Sequence, residues 1–281
     1  MQKSKLIVYS SKNDRINTYQ TFVSLWQQVY SNRSQILLSI KKDFKVKYQD
    51  TFLGMFWAII IPIIPMTAYM MLAFIKAFNS TSVMPYIFYI ALGITLWMFM
   101  SKVMSESMMA IKKEKAILTK TNYPIIAIVF SRIGEVLADT MIRVIAVIGI
   151  MIWYHISPDL MSFMLGFLLL IPIFFFALSA GMILSIVDTI IPDTRRLFDI
   201  SMRYGIFISS VIFPFPTEGV LGTINQFNIF NTYINAFRDL IYTGEVSNVS
   251  LLSYTILFTL FTVLLAAKII HYMNYRVRAH I

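Results

Sequence analysis

The chain has 281 residues, 58% hydrophobic and only 14% charged, with a formal net charge of +10 and no cysteine. A soluble domain carries about a quarter charged residues, so this composition places the chain in lipid rather than around a water-facing core. The missing cysteines exclude disulfides, zinc–thiolate sites and cysteine nucleophiles, and the basic excess is read first against anionic lipid headgroups.

Residues 1–33 are polar and mixed, with Lys3, Lys5, Lys12 and Arg15, and are expected to form a cytoplasmic N-terminal arm. The apolar run Leu6-Ile7-Val8-Tyr9 is too short for a signal-peptide core, so the first true span is expected to serve as the targeting signal. Over residues 34–48, Ile36, Leu37, Ile40, Phe44 and Tyr48 share one helical face, with Lys41, Lys42 and Lys45 outside it. A basic amphipathic helix just before a span is expected to lie in the membrane interface.

Residues 51–75 contain no charged side chain, enough for a helix across a core about 30 Å thick. The first span is expected over 52–78, with Trp57 near its start and kinks at Pro62 and Pro65. A second span follows over 85–104. Residues 105–123 mix Glu106, Lys112, Lys113, Glu114, Lys115 and Lys120 with apolar positions, as a short amphipathic helix on the N-terminal side would.

The third span, 124–156, is longer than a bilayer requires and carries Arg132, Glu135, Asp139 and Arg143 on one face. Arg132 and Glu135 are either solvated beyond the bilayer or part of a polar stripe; Asp139 and Arg143 lie deeper and are expected to pair within the protein. The fourth span, 163–187, presents Ala177, Gly181 and Ser185 as a small-residue row for close packing. The fifth, 194–213, enters charged end first with Arg195, Arg196, Asp199 and Arg203, and stops at Pro214-Phe215-Pro216. Residues 217–244 are neither span nor simple loop; Phe230, Ile234, Phe237 and Ile241 form an apolar face that either dips back into the bilayer or lies on its surface. The sixth span covers 251–270.

Counting Lys and Arg gives nine in 1–51, five in the second loop, three between spans four and five and three at the C-terminal end, twenty in all. The opposite side carries Lys76 and Arg238. This asymmetry puts both termini in the cytoplasm, as six spans also require. The expected fold is therefore an all-α integral membrane protein with its transmembrane domain over 34–281.

No G-x-x-x-x-G-K-[ST] loop, H-E-x-x-H or G-x-S-x-G occurs, and no metal-ligand cluster is present. His155, His271 and His280 are far apart in sequence. No catalytic residue, metal site or nucleic-acid contact is expected; the Glu135/Asp139 pair is the one candidate for a membrane-embedded transferase.

The run Lys47-Tyr48-Gln49-Asp50-Thr51-Phe52-Leu53-Gly54-Met55-Phe56-Trp57, ending in Pro62, resembles the opening of ABC-2 type permeases that export polysaccharides, roughly [KR]-Y-[KR]-x-[ST]-x-L-G-x-x-W-x-x-x-x-P. Gln49 departs from its basic slot. Asp193-Thr194-Arg195-Arg196 with the stretch ending Ser209-Ser210-Val211-Ile212-Phe213-Pro214 is similar to a second family segment, Ser210 standing where proline is usual. Asn228-Ile229-Phe230 through Phe237-Arg238-Asp239 is similar to a third.

The resemblance implies two permease copies, a homodimer, working with two copies of a separate ATP-binding subunit that holds ATP and Mg, in the bacterial inner membrane. It implies an interface helix at 34–48, a coupling helix within 105–123 using Lys112, Lys113, Glu114 and Lys115, and re-entrant gate helices over 217–244 with Phe230, Phe237 and Arg238. The implied substrate is a polysaccharide on undecaprenyl pyrophosphate, of O-antigen type, with capsular or teichoic-acid export as the alternative and a secondary transporter behind both. Arg195, Arg196 and Arg203 are candidates for the pyrophosphate, or else pair with Asp199. Trp57, Tyr69, Asp139 and Arg143 are candidates for a translocation path or polar stripe.

Overall fold

The computed structural model describes residues 18–49, 51–54, 56–74, 84–114, 123–214 and 219–279, and every regular element among them is a helix. In chain order these are α1 (Thr18–Ser31), α2 (Arg33–Tyr48), α3 (Phe56–Phe74), α4 (Tyr86–Lys113), α5 (Ile125–Trp153), α6 (Leu160–Ile190), α7 (Thr194–Ile208), α8 (Gly219–Gln226), α9 (Ile229–Tyr242) and α10 (Val249–Ala279).

Four of the described helices, α4, α5, α6 and α10, are long and apolar enough to cross a membrane. The chain is thus an all-α membrane protein. Outward faces of these helices carry Ile145 and Ile152 on α5, Leu168 and Ile171 on α6, and Leu257 and Phe261 on α10, all exposed. In water such a continuous apolar belt would drive association; against acyl chains it carries no penalty. The apolar part of α3, Phe56–Met71, is shorter, and α7 is a 15-residue helix with a charged first half.

α4 is the hub. It is buried along most of its length and packs against α3, α5, α6 and α9. Close approach to α6 depends on the small-residue row expected from the sequence. Ala177 and Ser185 are buried, and a Cβ on Gly181 would sit 2.8 Å from the Ser107 Cβ. No glycine or proline interrupts 104–113, so α4 continues unbroken to Lys113 instead of handing over to a separate amphipathic helix. At 28 residues α4 is about 42 Å long, so its charged end projects past a core of about 30 Å. Residues 115–122, the rest of the expected coupling helix, lie outside the described residues, as do 75–83 and most of the N-terminal arm.

The turn into α3 rests on one glycine. Gly54 has φ +50°, its N–H bonds the Thr51 carbonyl at 2.9 Å, and the Phe56 N–H bonds Leu53 O at 3.0 Å. That left-handed conformation is cheap only without a Cβ, which gives a physical reason for L-G in the first family-like segment.

One part of the arm has structure that composition did not suggest. α1 lays Phe22, Leu25, Trp26 and Val29 against Ile126, Phe130 and Leu178 around a cavity of about 60 Å³. These four residues follow i, i+3, i+4, i+7, the spacing of an amphipathic helix, so the signal was present in the sequence.

Candidate functional site

The two ends of the bundle are chemically different, and α4 measures the distance between them. Near its N-terminus Tyr89 meets α9; near its C-terminus Lys112 meets the end of α6. These residues are 23 positions apart, about 34 Å along the helix, comparable to a hydrocarbon core.

At the Lys112 end the charges are already matched. Lys112 Nζ lies 2.5 Å from Asp188 Oδ2 and also bonds the Asp188 carbonyl at 3.0 Å; Asp188 is 2% exposed. Lys113 pairs with Glu106 at 3.0 Å, and Arg132 pairs with Glu114. Three of the four candidate coupling residues therefore have partners within the chain, while Lys115 lies outside the described residues.

The polar face of α5 is one helix side with four different partners. Arg132 reaches Glu114, Glu135 reaches Lys47 of α2, and Asp139 meets Lys102 at 2.7 Å. Arg143, 1% exposed, donates from Nε to the Pro62 carbonyl of α3 at 3.0 Å. The spacing suggested pairing along α5; instead each charge fastens α5 to another segment. Beside this seam a Cβ on Gly134 would strike Ile40, so the glycine lets α2 lie flat on α5. Lys102 was counted with the second loop, yet it sits inside α4, as Lys268 sits inside α10; eighteen cations on the basic side then stand against two.

α7 runs antiparallel beside α4. Arg195 donates to Ser105 Oγ at 3.1 Å, a Cβ on Gly205 would lie 2.9 Å from the Trp97 ring, and the Ser210 carbonyl accepts from Tyr89 Oη at 2.8 Å. Contacts thus step from 105 through 97 to 89 as α7 advances. Of the candidate anion-binding arginines, Arg195 is engaged with Asp199 at 3.0 Å, Arg196 with Asp193 at 3.4 Å, and Arg203 is exposed. Tyr69 stands beside the Phe207 ring, centroids 6.5 Å apart, while Trp57 is half-buried twelve residues earlier on α3. Trp57, Tyr69 and the Asp139/Arg143 pair do not converge on a single point.

At the Tyr89 end, Arg238 organises the return segment. It is 2% exposed. Its guanidinium donates to three carbonyls, Ser210 at 2.6 Å, Tyr89 at 2.8 Å and Val211 at 2.8 Å, and lies 3.5 Å over the Tyr89 ring. A lysine has neither the planar fork nor enough directed donors to do this. Phe230 is wedged between Trp97 and Phe176, at 4.9 and 5.8 Å, and Phe237 packs near Gly166. α9 is capped by Asn228, whose side chain accepts from the Asn231 N–H, and is closed by Gly244 at φ +85°. Local chemistry thus sets both ends of the helix, and its buried face holds Tyr233, Ile234 and Ile241. Sequence reasoning missed Tyr89 and marked Ser210 only as standing in a proline slot; the role of both is set by an arginine 149 and 28 residues away.

Among the described residues no cluster of His, Cys, Asp and Glu is arranged to hold a metal ion. The family described as ABC-2 type transporter matches residues 34–242. The O-antigen export system permease protein RfbA of Myxococcus xanthus is 20% identical over 195 residues, which cover 69% of this chain and 74% of that protein.

Proposed function

Since the chain belongs to the ABC-2 type transporter family, we propose that it is the permease subunit of an ABC exporter, powered by a separate ATP-binding subunit. In this reading two copies of each subunit assemble in the bacterial inner membrane, with ATP and Mg held by the partner. The cargo is a polysaccharide on undecaprenyl pyrophosphate, of O-antigen type, moved from the cytoplasm outward. The observation that carries the cargo class is the similarity to a protein named as an O-antigen export permease, together with the family-like segments at Lys47–Pro62 and Asn228–Asp239.

The fold is consistent with six crossings. α3 and α7 add to the four long helices, since α7 accompanies α4 from Ser105 to Tyr89, about 24 Å of its length. Residues 34–281 then form the transmembrane domain. The basic Lys112 end faces the cytoplasm and the Arg238 end faces outward, following the positive-inside rule. α2 is the interface helix, with Lys41, Lys42 and Lys45 exposed. Docking on the ATPase uses Lys112, Lys113 and Glu114 at the end of α4, with Lys115 next in the chain. α8 and α9 form the outer gate, held by Arg238, and Arg196 and Arg203 are the exposed cations available to a pyrophosphate entering from the cytoplasm.

The test is glycan surface display, with ATP hydrolysis measured in parallel, using the chain with an active or a hydrolysis-dead ATP-binding subunit. Display only with the active partner is expected. Display that persists with the dead partner overturns the reading in favour of a secondary transporter.

A further inference from the structure

Between α8, α9 and the segment leading into α10 lies a cavity of about 480 Å³, within the range of about 300–1,000 Å³ typical of ligand pockets. Its polar lining includes Ser210, Asn225, Asn231, Asn235, Asp239 and Ser247, with Val246 and Leu251 as an apolar floor. The cavity along α6 and α10 has a different character: Phe, Ile, Leu and Val side chains make up most of its lining, with Thr259 and Lys268 as the polar exceptions.

The amides of this cavity are ordered in sequence by the buried arginine. Arg238 donates to Asn235 Oδ1 at 3.2 Å; Asn235 Nδ2 donates to Asn231 Oδ1 at 2.8 Å. Asn231 Nδ2 donates to the Asn225 backbone carbonyl at 3.3 Å, and Asn225 Nδ2 to Ser210 Oγ at 3.5 Å. Each side-chain oxygen of Asn235 and Asn231 must point toward the guanidinium, so these two amide orientations are fixed. Beyond them stands an acceptor with no partner: Asn225 Oδ1 is buried and makes no hydrogen bond, in a residue 9% exposed. A buried carbonyl oxygen left unpaired carries its full desolvation cost, which a ligand hydroxyl would recover.

The charge of the lining selects among ligands. It contains no lysine or arginine, since Arg238 lies outside it and turns its terminal nitrogens to three backbone carbonyls and Asn235 Oδ1, and it does contain Asp239. Asp239 Oδ2 accepts from the Ser247 N–H at 3.0 Å and is held at the cavity rim. Phosphate and pyrophosphate are repelled by such a site. A neutral polyhydroxylated ring fits it: hydroxyls donate to Asn225 Oδ1 and the carboxylate, accept from amide N–H groups, and the C–H face rests on Val246 and Leu251.

We infer that this asparagine-lined cavity is a binding site for a neutral sugar unit, at the end of the bundle opposite the matched charges of Lys112 and Asp188. The inference rests on the exporter reading for its biological sense, since it supplies a contact for glycan at the outward gate, away from the arginines assigned to pyrophosphate.

The full chain in lipid nanodiscs is probed by saturation-transfer NMR with methyl glycosides of mannose, galactose, rhamnose and N-acetylglucosamine, and with inorganic pyrophosphate as a competitor. At least one glycoside should show transfer, undiminished by pyrophosphate. Asn225→Leu, which removes the unpaired acceptor, and Ser247→Trp, an exposed substitution at the rim, should each reduce it at least fivefold. Ser247→Trp leaves the buried network intact, so its thermal unfolding should match the parent. Absence of transfer from every glycoside, full transfer in both variants, or displacement by pyrophosphate overturns the site. Partner-dependent glycan display is measured in cells producing the same chains: display without sugar binding removes the cavity assignment alone, whereas no display with any ATP-binding partner removes the exporter reading.

Discussion

Lys102 Nζ and Asp139 Oδ2 lie 2.7 Å apart, joining the middle of α4 to the middle of α5. Asp139 is 3% exposed, while the Lys102 side chain keeps 37% of its surface. A charged pair at this depth is conserved energy only while both partners are present: removing one leaves the other poorly solvated. Asp139→Asn should therefore destabilise the folded protein by about 1–3 kcal/mol, less than a fully enclosed pair because Lys102 can turn outward. Lys102→Met with Asp139→Leu should recover most of that loss. Thermal unfolding of Lys102→Met, Asp139→Leu and the double in the same detergent, treated as a double-mutant cycle, checks it. Additive losses would mean that the pair contributes nothing.

The Arg238 anchor makes a second expectation at a glycine. A Cβ on Gly93 would lie 2.6 Å from the Val211 carbonyl and closer still to the Arg238 guanidinium. Neither can yield cheaply, since both belong to the same set of hydrogen bonds. Gly93→Ala should cost about 1–3 kcal/mol, the usual penalty of overpacking. Gly149→Ala is the control: nothing lies within 4 Å of its Cβ position, and alanine there should stabilise α5 by up to about 1 kcal/mol. Paired melting curves of the two variants provide the measurement; similar behaviour would contradict the packing at Tyr89.

Ser210 sits at φ +49°, with its carbonyl accepting from both Tyr89 and Arg238. Proline, which the related family segment would place here, is held near −65° and does not fit this conformation. Ser210→Pro should break the α7–α9 junction and abolish display. Ser210→Gly should be neutral to stabilising by about 1 kcal/mol, since it relieves a left-handed L-residue at the expense of one long bond from Asn225. Limited proteolysis of the segment after α7 separates these outcomes. A folded, active proline variant would refute the turn described for Ser210.

Much of the helix pattern was legible because lipid imposes a simple rule: apolar runs of one bilayer length become helices. The small-residue row of α6 was readable from local chemistry as well. Partnerships were less legible. The offsets of Arg132, Glu135, Asp139 and Arg143 put them on one face, yet which segment each would meet depends on how α2, α3 and α4 pack around α5. Lys102, inside the expected span 85–104, was counted with the charged segment after it, while the helix runs unbroken through it to Lys113. The Asn225–Asn231–Asn235 series was overlooked for a related reason: asparagines near a helix start are expected as caps, and only tertiary packing against Arg238 gives them a shared cavity.

The coupling lysines pose the sharpest question, because Lys112 already has a buried partner. Lys112→Glu sets a carboxylate against Asp188, which has one oxygen 2.5 Å from the present ammonium and the other unpaired. The variant should lose about 1–3 kcal/mol of stability, tempered by the 48% exposure of Lys112. Adding Asp188→Lys restores opposite charges and should restore the melting temperature. Docking on an ATP-binding subunit follows a different logic, since it reads the sign of the charge on the projecting end of α4. If Lys112 serves both ends, the reversed pair should fold normally and still fail to bind or stimulate the ATPase. Lys113→Glu places two like charges near Glu106 on an exposed face, costing well under 1 kcal/mol, and should also weaken ATPase association. Co-purification and ATPase stimulation, measured beside unfolding for all three variants, decide between staple and docking contact. Full recovery of both stability and coupling in the reversed pair would confine Lys112 to holding α4 against α6.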